Sequence, residues 1–222
     1  MNNKDILKII DHTLLKAESS HDDIVRLCDE AKKYGVATVF THGYWTPVVS
    51  EQLKGSSVRV GATAGFPFGA QSTFIKATEA SSSIKDGADE IDIVLNIGAL
   101  KSKDYGAVLN DVSEVRKACS GGVLLKVILE NCLLTDQEKI DACMICVDAG
   151  ADFVKTSTGL STGGATLHDV ELMKKTVDGK AKVKAAGGIR TLKDCIDMIN
   201  AGADRIGTSA MLRIAKEIEE WS

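Results

Sequence analysis

The chain is poor in the features that mark several classes of protein. Only two prolines occur in 222 residues, and no Pro-, Ser- or Gly-rich stretch breaks the pattern, so nothing reads as a linker and one domain over 1–222 is expected. No apolar run approaches the ~20 residues that cross a bilayer, and the opening Met1-Asn-Asn-Lys-Asp5 has no signal h-region. A cytoplasmic protein is therefore expected, with no membrane partner. The net charge of -4 leaves no basic stripe for nucleic acid. The four histidines (His12, His21, His42 and His168) are scattered without ligand spacing, so no metal is expected.

What is present is ordinary in bulk and specific in pattern. Hydrophobic residues make up 44% and charged residues 26%, as in a globular protein able to bury a full core. Six cysteines fall mostly inside periodic segments. Cys143-Met-Ile-Cys146 is formally a CxxC, but it sits mid-helix with no second pair, and helix core is the better reading.

One unit recurs: a helix, then Gly with a small residue and often Asp, then an apolar strand. It appears as Tyr34-Gly-Val-Ala-Thr-Val, Asp86-Gly-Ala-Asp-Glu-Ile, Ala149-Gly-Ala-Asp-Phe-Val and Ala201-Gly-Ala-Asp-Arg-Ile. Glycine is what a helix end needs where the backbone turns left-handed. Further strands are expected at residues 6–10, 58–64, 123–129 and 183–186, giving eight. Capping-box patterns at Ser20-x-x-Asp23, Thr135-x-x-Glu138 and Thr191-x-x-Asp194 start the intervening helices. Alternating strands and helices imply a parallel sheet with right-handed crossovers. Eight units in this length close into an α/β, (β/α)8 TIM barrel. An open doubly wound sheet is the alternative, but no GxGxxG follows the first strand.

Lys155 and Lys184 each sit near the end of a short apolar strand, where a charge needs a partner, a lowered pKa or a chemical role. Two converging lysines point to an amine kept neutral enough to attack a carbonyl. Other polar residues expected at strand ends are Asp11, Thr41, Asp92, Asn96, Lys126, Glu130, Thr156 and Ser209. A purely structural ion network inside the barrel is the competing reading.

Seven segments in order then carry a family resemblance: Ile10-Asp-His-Thr-Leu-Leu-Lys16, Gly65-Phe-Pro-Phe-Gly69, Asp89-Glu-Ile-Asp92 with Asn96-Ile-Gly-Ala, Lys126-Val-Ile-Leu-Glu130, Val154-Lys-Thr-Ser-Thr-Gly159, Val183-Lys-Ala-Ala-Gly-Gly188 and Gly207-Thr-Ser209. Over nearly its whole length the chain resembles the deoxyribose-phosphate aldolases, class I Schiff-base aldolases built as (β/α)8 barrels. The resemblance implies Lys155 as the Schiff-base lysine, Lys184 as the second lysine and Asp92 as the acidic proton-transfer residue. Lys126 and Thr156 are accessory candidates. Phosphate-binding residues implied are Gly159, Gly187, Gly188, Ser209 and Ala210. The partners implied are small aldehydes and sugar phosphates, no cofactor is implied, and a homo-oligomer is expected. The chain closes on Glu219-Glu-Trp-Ser222, without the C-terminal tyrosine some relatives place near the site.

Five positions depart from the family pattern: Phe40, Thr41 and His42 at the end of the second strand, Asn131 after Glu130, and Leu160 after Gly159. They are expected to cluster on the acceptor side and to shift donor or acceptor specificity, as in an engineered variant, while the lysines and Asp92 stay. A barrel that binds sugar phosphates without catalysis is the third reading.

Overall fold

The glycines of the repeated unit, Gly35, Gly87, Gly150 and Gly202, all take positive φ (63°, 104°, 81° and 111°). L side chains rarely adopt this conformation, which explains the residue type at each helix end. The aspartates that follow have a separate task. Asp89 Oδ2 accepts the Val60 amide at 2.9 Å, Asp152 Oδ2 that of Leu125 at 2.8 Å, and Asp204 Oδ2 that of Val183 at 2.9 Å. Three of the four repeats thus tie the start of one strand to the start of the strand before it.

The computed structural model describes residues 3–221. Eight parallel strands close in sequence order into a barrel: β1 (Ile10–Thr13), β2 (Thr38–His42), β3 (Arg59–Ala64), β4 (Glu90–Val94), β5 (Leu124–Ile128), β6 (Phe153–Lys155), β7 (Lys182–Ala186) and β8 (Arg205–Thr208). The helices are α1 (Asn3–Leu7), α2 (His21–Tyr34), α3 (Thr46–Leu53), α4 (Thr73–Lys85), α5 (Ile97–Lys101), α6 (Tyr105–Ala118), α7 (Asp136–Asp148), α8 (Leu167–Val177), α9 (Leu192–Asn200) and α10 (Met211–Glu220). This is a (β/α)8 barrel. None of the described helices is long and apolar enough to cross a membrane.

The capping boxes form at α2, α7 and α9, where Ser20, Thr135 and Thr191 each exchange hydrogen bonds with the acidic residue three positions on. The first strand is displaced from its sequence expectation. The sequence predicts a strand over residues 6–10, but Ile6 and Leu7 belong to α1, which packs against α10, and β1 begins at Ile10. A short apolar run carries no period that separates strand from helix, and Ile6 is buried in either form. Cys143 and Cys146 lie inside α7, and burial pushes the Cys143 thiol up to about 12 and Cys146 well above its ordinary value. Both are inert core residues.

Period-two alternation and the strand register sort the inward side chains into tiers. A lower tier holds Thr38, Glu90, Phe153 and Arg205 from the even strands. The middle tier holds Asp11, Gly61, Lys126 and Lys184 from the odd strands. The upper tier holds Phe40, Asp92, Lys155 and Gly207. Such tiers are normally Val, Ile and Leu, whereas here seven of the twelve residues are ionisable. The apolar core lies outside the strands instead, where Val39, Ala62, Ile91, Ile93, Val127, Val154 and Ile206 meet the helices.

Candidate active site

The ionisable residues inside the barrel form one connected cluster. Asp92 Oδ2 accepts from Lys155 Nζ and from Lys184 Nζ, each at 2.8 Å, so the two amines are at most 5.6 Å apart. Lys126 Nζ reaches Asp92 Oδ1 at 3.2 Å and also donates to Glu90. Lys184 Nζ lies 2.5 Å from Asp11 Oδ2, and Arg205 closes the ring on Asp11 at 2.7 Å and on Glu90 at 3.5 Å. Four cations therefore face three carboxylates, all but Arg205 nine-tenths or more buried. A surplus positive charge in a dry site is most easily relieved by losing one proton.

The supports of the cations differ, and this decides which proton goes. Burial brings the Lys155 ammonium down to about 8, the charge on Lys184 adds to the effect, and Asp92 opposes it. Burial also works against the Lys184 ammonium, but Asp11 and Asp92 outweigh it and hold the group above its ordinary value. Burial opposes the Asp92 carboxylate too, yet Lys126, Lys155 and Lys184 together hold it well below the usual range. Asp92 in the resting site is thus a charge partner and a poor proton acceptor. Of the three lysines, Lys155 is the one brought closest to the neutral form that an amine needs to add to a carbonyl.

Lys155 opens into a pocket of about 270 Å³ at the C-terminal mouth of the barrel. Gly159, Gly187, Gly188 and Ser209 line it with Lys155, as the sequence expected. Gly187 is needed for close approach: it takes φ 89°, and a Cβ there would lie 3.0 Å from the Cα of Gly164 and 3.6 Å from that of Gly159. Ala210 is not among the residues lining the pocket, and its amide donates to Thr208 Oγ1 at 2.9 Å. Thr156 is equally closed to a ligand, since its hydroxyl donates to the Ala186 carbonyl at 2.9 Å and accepts the Ala186 amide at 3.0 Å. It fastens β6 to β7 beside the two lysines. Glu130, in the left-handed region at φ 58°, holds the loop after β6 through the Thr158 amide and hydroxyl.

The five departures do not cluster on one side of the pocket. Leu160 lines it. His42 sits in a neighbouring cleft, and its Nε2 is 3.1 Å from the Leu15 carbonyl, which can only accept, so Nε2 carries the hydrogen. That bond steadies the β1 loop, whose Leu15 lines the Lys155 pocket. Thr41 is buried, facing away from the barrel interior by alternation. Asn131 is buried with its amide nitrogen 3.1 Å from Met173 Sδ. Phe40 points inward, at 1% exposure, against Lys126 and Lys184. Sequence position after a strand does not reveal on which side of that strand a residue falls.

Five contributors carry no role assigned from the sequence. Asp11, Glu90 and Arg205 complete the ion cluster; their signal is period-two alternation of charged residues within strands. Lys16 and Arg190 add positive charge to the pocket wall, Arg190 two residues past the Gly187-Gly188 turn. Among the described residues one group has metal-ligand geometry, Asp136, His168 and Asp169, despite their wide sequence spacing. Lys139 Nζ already occupies it, at 3.0 Å from Asp136 and 2.6 Å from Asp169.

Comparison with known proteins agrees with this geometry. The family model of DeoC/LacD family aldolases matches residues 6–216. A deoxyribose-phosphate aldolase of Mycoplasma capricolum is 54% identical over 215 residues, covering 97% of this chain and 96% of the relative. One from Finegoldia magna is 55% identical over 209 residues, covering 94% and 98%. A solved structure of deoxyribose phosphate aldolase from Aeropyrum pernix, described as a unique tetramer, superposes with a TM-score of 0.92 at 32% identity, covering 99% of this chain and 93% of that one.

Proposed function

Since this chain belongs to the DeoC/LacD family of aldolases, we propose that it reversibly cleaves 2-deoxy-D-ribose 5-phosphate to acetaldehyde and D-glyceraldehyde 3-phosphate through a Schiff base on Lys155. The observation that carries this reading is the buried amine of Lys155, lowered to about 8 and open to a pocket with glycine amides and two further cations at its rim. Lys155 Nζ adds to the C1 aldehyde, and loss of water leaves an iminium. The iminium accepts the electron pair of the C2–C3 bond as that bond breaks, giving an enamine, while the C3 hydroxyl loses its proton. Protonation of the enamine carbon and hydrolysis then release acetaldehyde.

Lys184 keeps its proton throughout, as Asp11 and Asp92 hold it. Asp92 gains basicity once Lys155 ceases to be an ammonium, because one of its three cationic partners is then gone; it can then relay protons between water and the imine. Lys126 holds Asp92 and Glu90 in place. The phosphate dianion is assigned to Gly159, Gly187, Gly188 and Ser209, with Lys16 and Arg190 supplying charge. The iminium nitrogen is the electron sink, so the reaction needs neither metal nor cofactor. A cytoplasmic homo-oligomer belongs to the same reading, supported by the tetrameric relative.

Of the departures from the family pattern, only Leu160 touches this pocket. That placement favours the phosphorylated sugar over a shifted specificity. The test is product analysis by NMR with 2-deoxyribose 5-phosphate, 2-deoxyribose and a ketone donor. Acetaldehyde released with a strong preference for the phosphate ester supports the reading. Turnover only of unphosphorylated or ketone substrates refutes the substrate assignment, and no turnover of any supports a binding barrel.

A further inference from the structure

Phe40 is one of two phenylalanines inside the ion cluster and the one nearer to its lysines. Its ring centroid lies 4.0 Å from Lys184 Nζ and 4.3 Å from Lys126 Nζ, and the residue is 1% exposed. Space for the ring comes from Gly61 across the β2–β3 pair. A Cβ there would stand 2.5 Å from two ring carbons, closer than real contacts permit, so ring and glycine form a matched pair. An aromatic face carries partial negative charge and attracts an ammonium, more strongly where water is excluded.

The ring is not shared equally. Among the described contacts it faces Lys126 and Lys184 and not Lys155, which stands in the same tier on the opposite side of the barrel. Lys184 is thus held by Asp11, Asp92 and the ring, and Lys126 by Glu90, Asp92 and the ring. Lys155 has Asp92 alone. The other charged groups facing this space are Arg205 from β8 and Arg59 from β3, both spent on carboxylates of the cluster.

We propose that Phe40 is a positioning residue for the Lys155 amine: its ring face fixes the Lys184 ammonium beside Lys155, so that this charge bears on Lys155 and the proton missing from the crowded cluster is missing from Lys155. The assignment rests on the Schiff-base reading for its purpose, but not for its test. It also replaces the expectation that Phe40 shapes the acceptor pocket, whose wall it does not reach.

Ring-fluorinated phenylalanines test this directly, because fluorine drains the negative face while barely changing shape. With 4-fluoro-, 3,5-difluoro- and 3,4,5-trifluorophenylalanine at position 40, the Lys155 proton is titrated by NMR on protein labelled at lysine Nζ, with Lys155→Gln for assignment. Weaker hold on Lys184 lets its ammonium draw away from Lys155 toward Asp11, so Lys155 keeps its proton to higher pH. The expected result is a midpoint climbing stepwise with fluorine number, by about one pH unit over the series. Phe40→Leu, if it folds, should match the trifluoro protein. One midpoint across the series overturns the proposal. Borohydride trapping with acetaldehyde on the unsubstituted enzyme runs in parallel: absence of an adduct there refutes the aldolase reading, while the titration still decides the role of Phe40.

Discussion

Lys155 Nζ and Lys184 Nζ share a single acceptor, Asp92 Oδ2, each at 2.8 Å. One oxygen cannot fully compensate two buried ammonium groups, and Lys184 has a second carboxylate in Asp11 at 2.5 Å. The two identical side chains therefore differ in their remaining partners. In the proposed reaction the nucleophile is the lysine with fewer.

Lys184→Leu removes the positive charge that helps depress Lys155. The Lys155 midpoint should rise from about 8 toward the ordinary lysine value of 10.5. At pH 7 the reactive amine then falls at least tenfold, since each unit of midpoint changes its fraction tenfold. The rate of imine formation with acetaldehyde against pH checks this, through an acid limb displaced to higher pH.

Lys155→Met should abolish turnover and leave the fold as stable or more so at pH 7. In the sign of the linkage, the folded value of Lys155 is lowered, so folding opposes its charge. That penalty, about 3 kcal/mol for a shift of this size, is full below about pH 8 and fades as pH rises toward 10.5. Methionine escapes it, less the lost bond to Asp92, which Lys126 and Lys184 still hold. Thermal unfolding of both proteins at pH 7 and pH 10 decides, and a lower Tm for the variant at pH 7 speaks against it.

Asp92→Asn leaves Lys126, Lys155, Lys184 and Arg205 with only Asp11 and Glu90. Stranding a buried charge costs about 3–5 kcal/mol. Denaturant unfolding should show a loss of that order. Asp11→Asn should behave similarly, because it strips Lys184 and Arg205 of a shared partner.

Arg190→Gln and Lys16→Gln should act on the phosphate alone. Losing a charge-assisted contact weakens binding by about 10- to 100-fold, so KM for 2-deoxyribose 5-phosphate should rise by that order, with kcat changed little. KM for unphosphorylated 2-deoxyribose should stay near its original value. An equal rise for both sugars would move these residues out of the phosphate site.

The barrel was legible because its repeat is local physics: a positive-φ glycine closing four of the helices, and in three of them an aspartate bonded to the neighbouring strand. The lysines were legible because a charge inside an apolar strand is anomalous by itself. Arg205 and Asp11 were harder, since their partnership spans 194 positions and exists only once β8 pairs with β1. The placements of Thr41 and Asn131 were not legible, because adjacency to a strand end fixes neither facing nor partner. The inward direction of Phe40 follows from alternation, but the void that receives it is the missing side chain of Gly61, one strand away.

The central claim is that Lys155, and not Lys184 or Lys126, is the nucleophile. Borohydride reduction in the presence of acetaldehyde, followed by peptide mapping across pH 6–10, tests it most directly. The expected result is one reduced two-carbon adduct, on Lys155, with a formation rate that rises tenfold per pH unit and levels off near pH 8. An adduct on Lys184 or Lys126, or none on intact protein, would contradict the account.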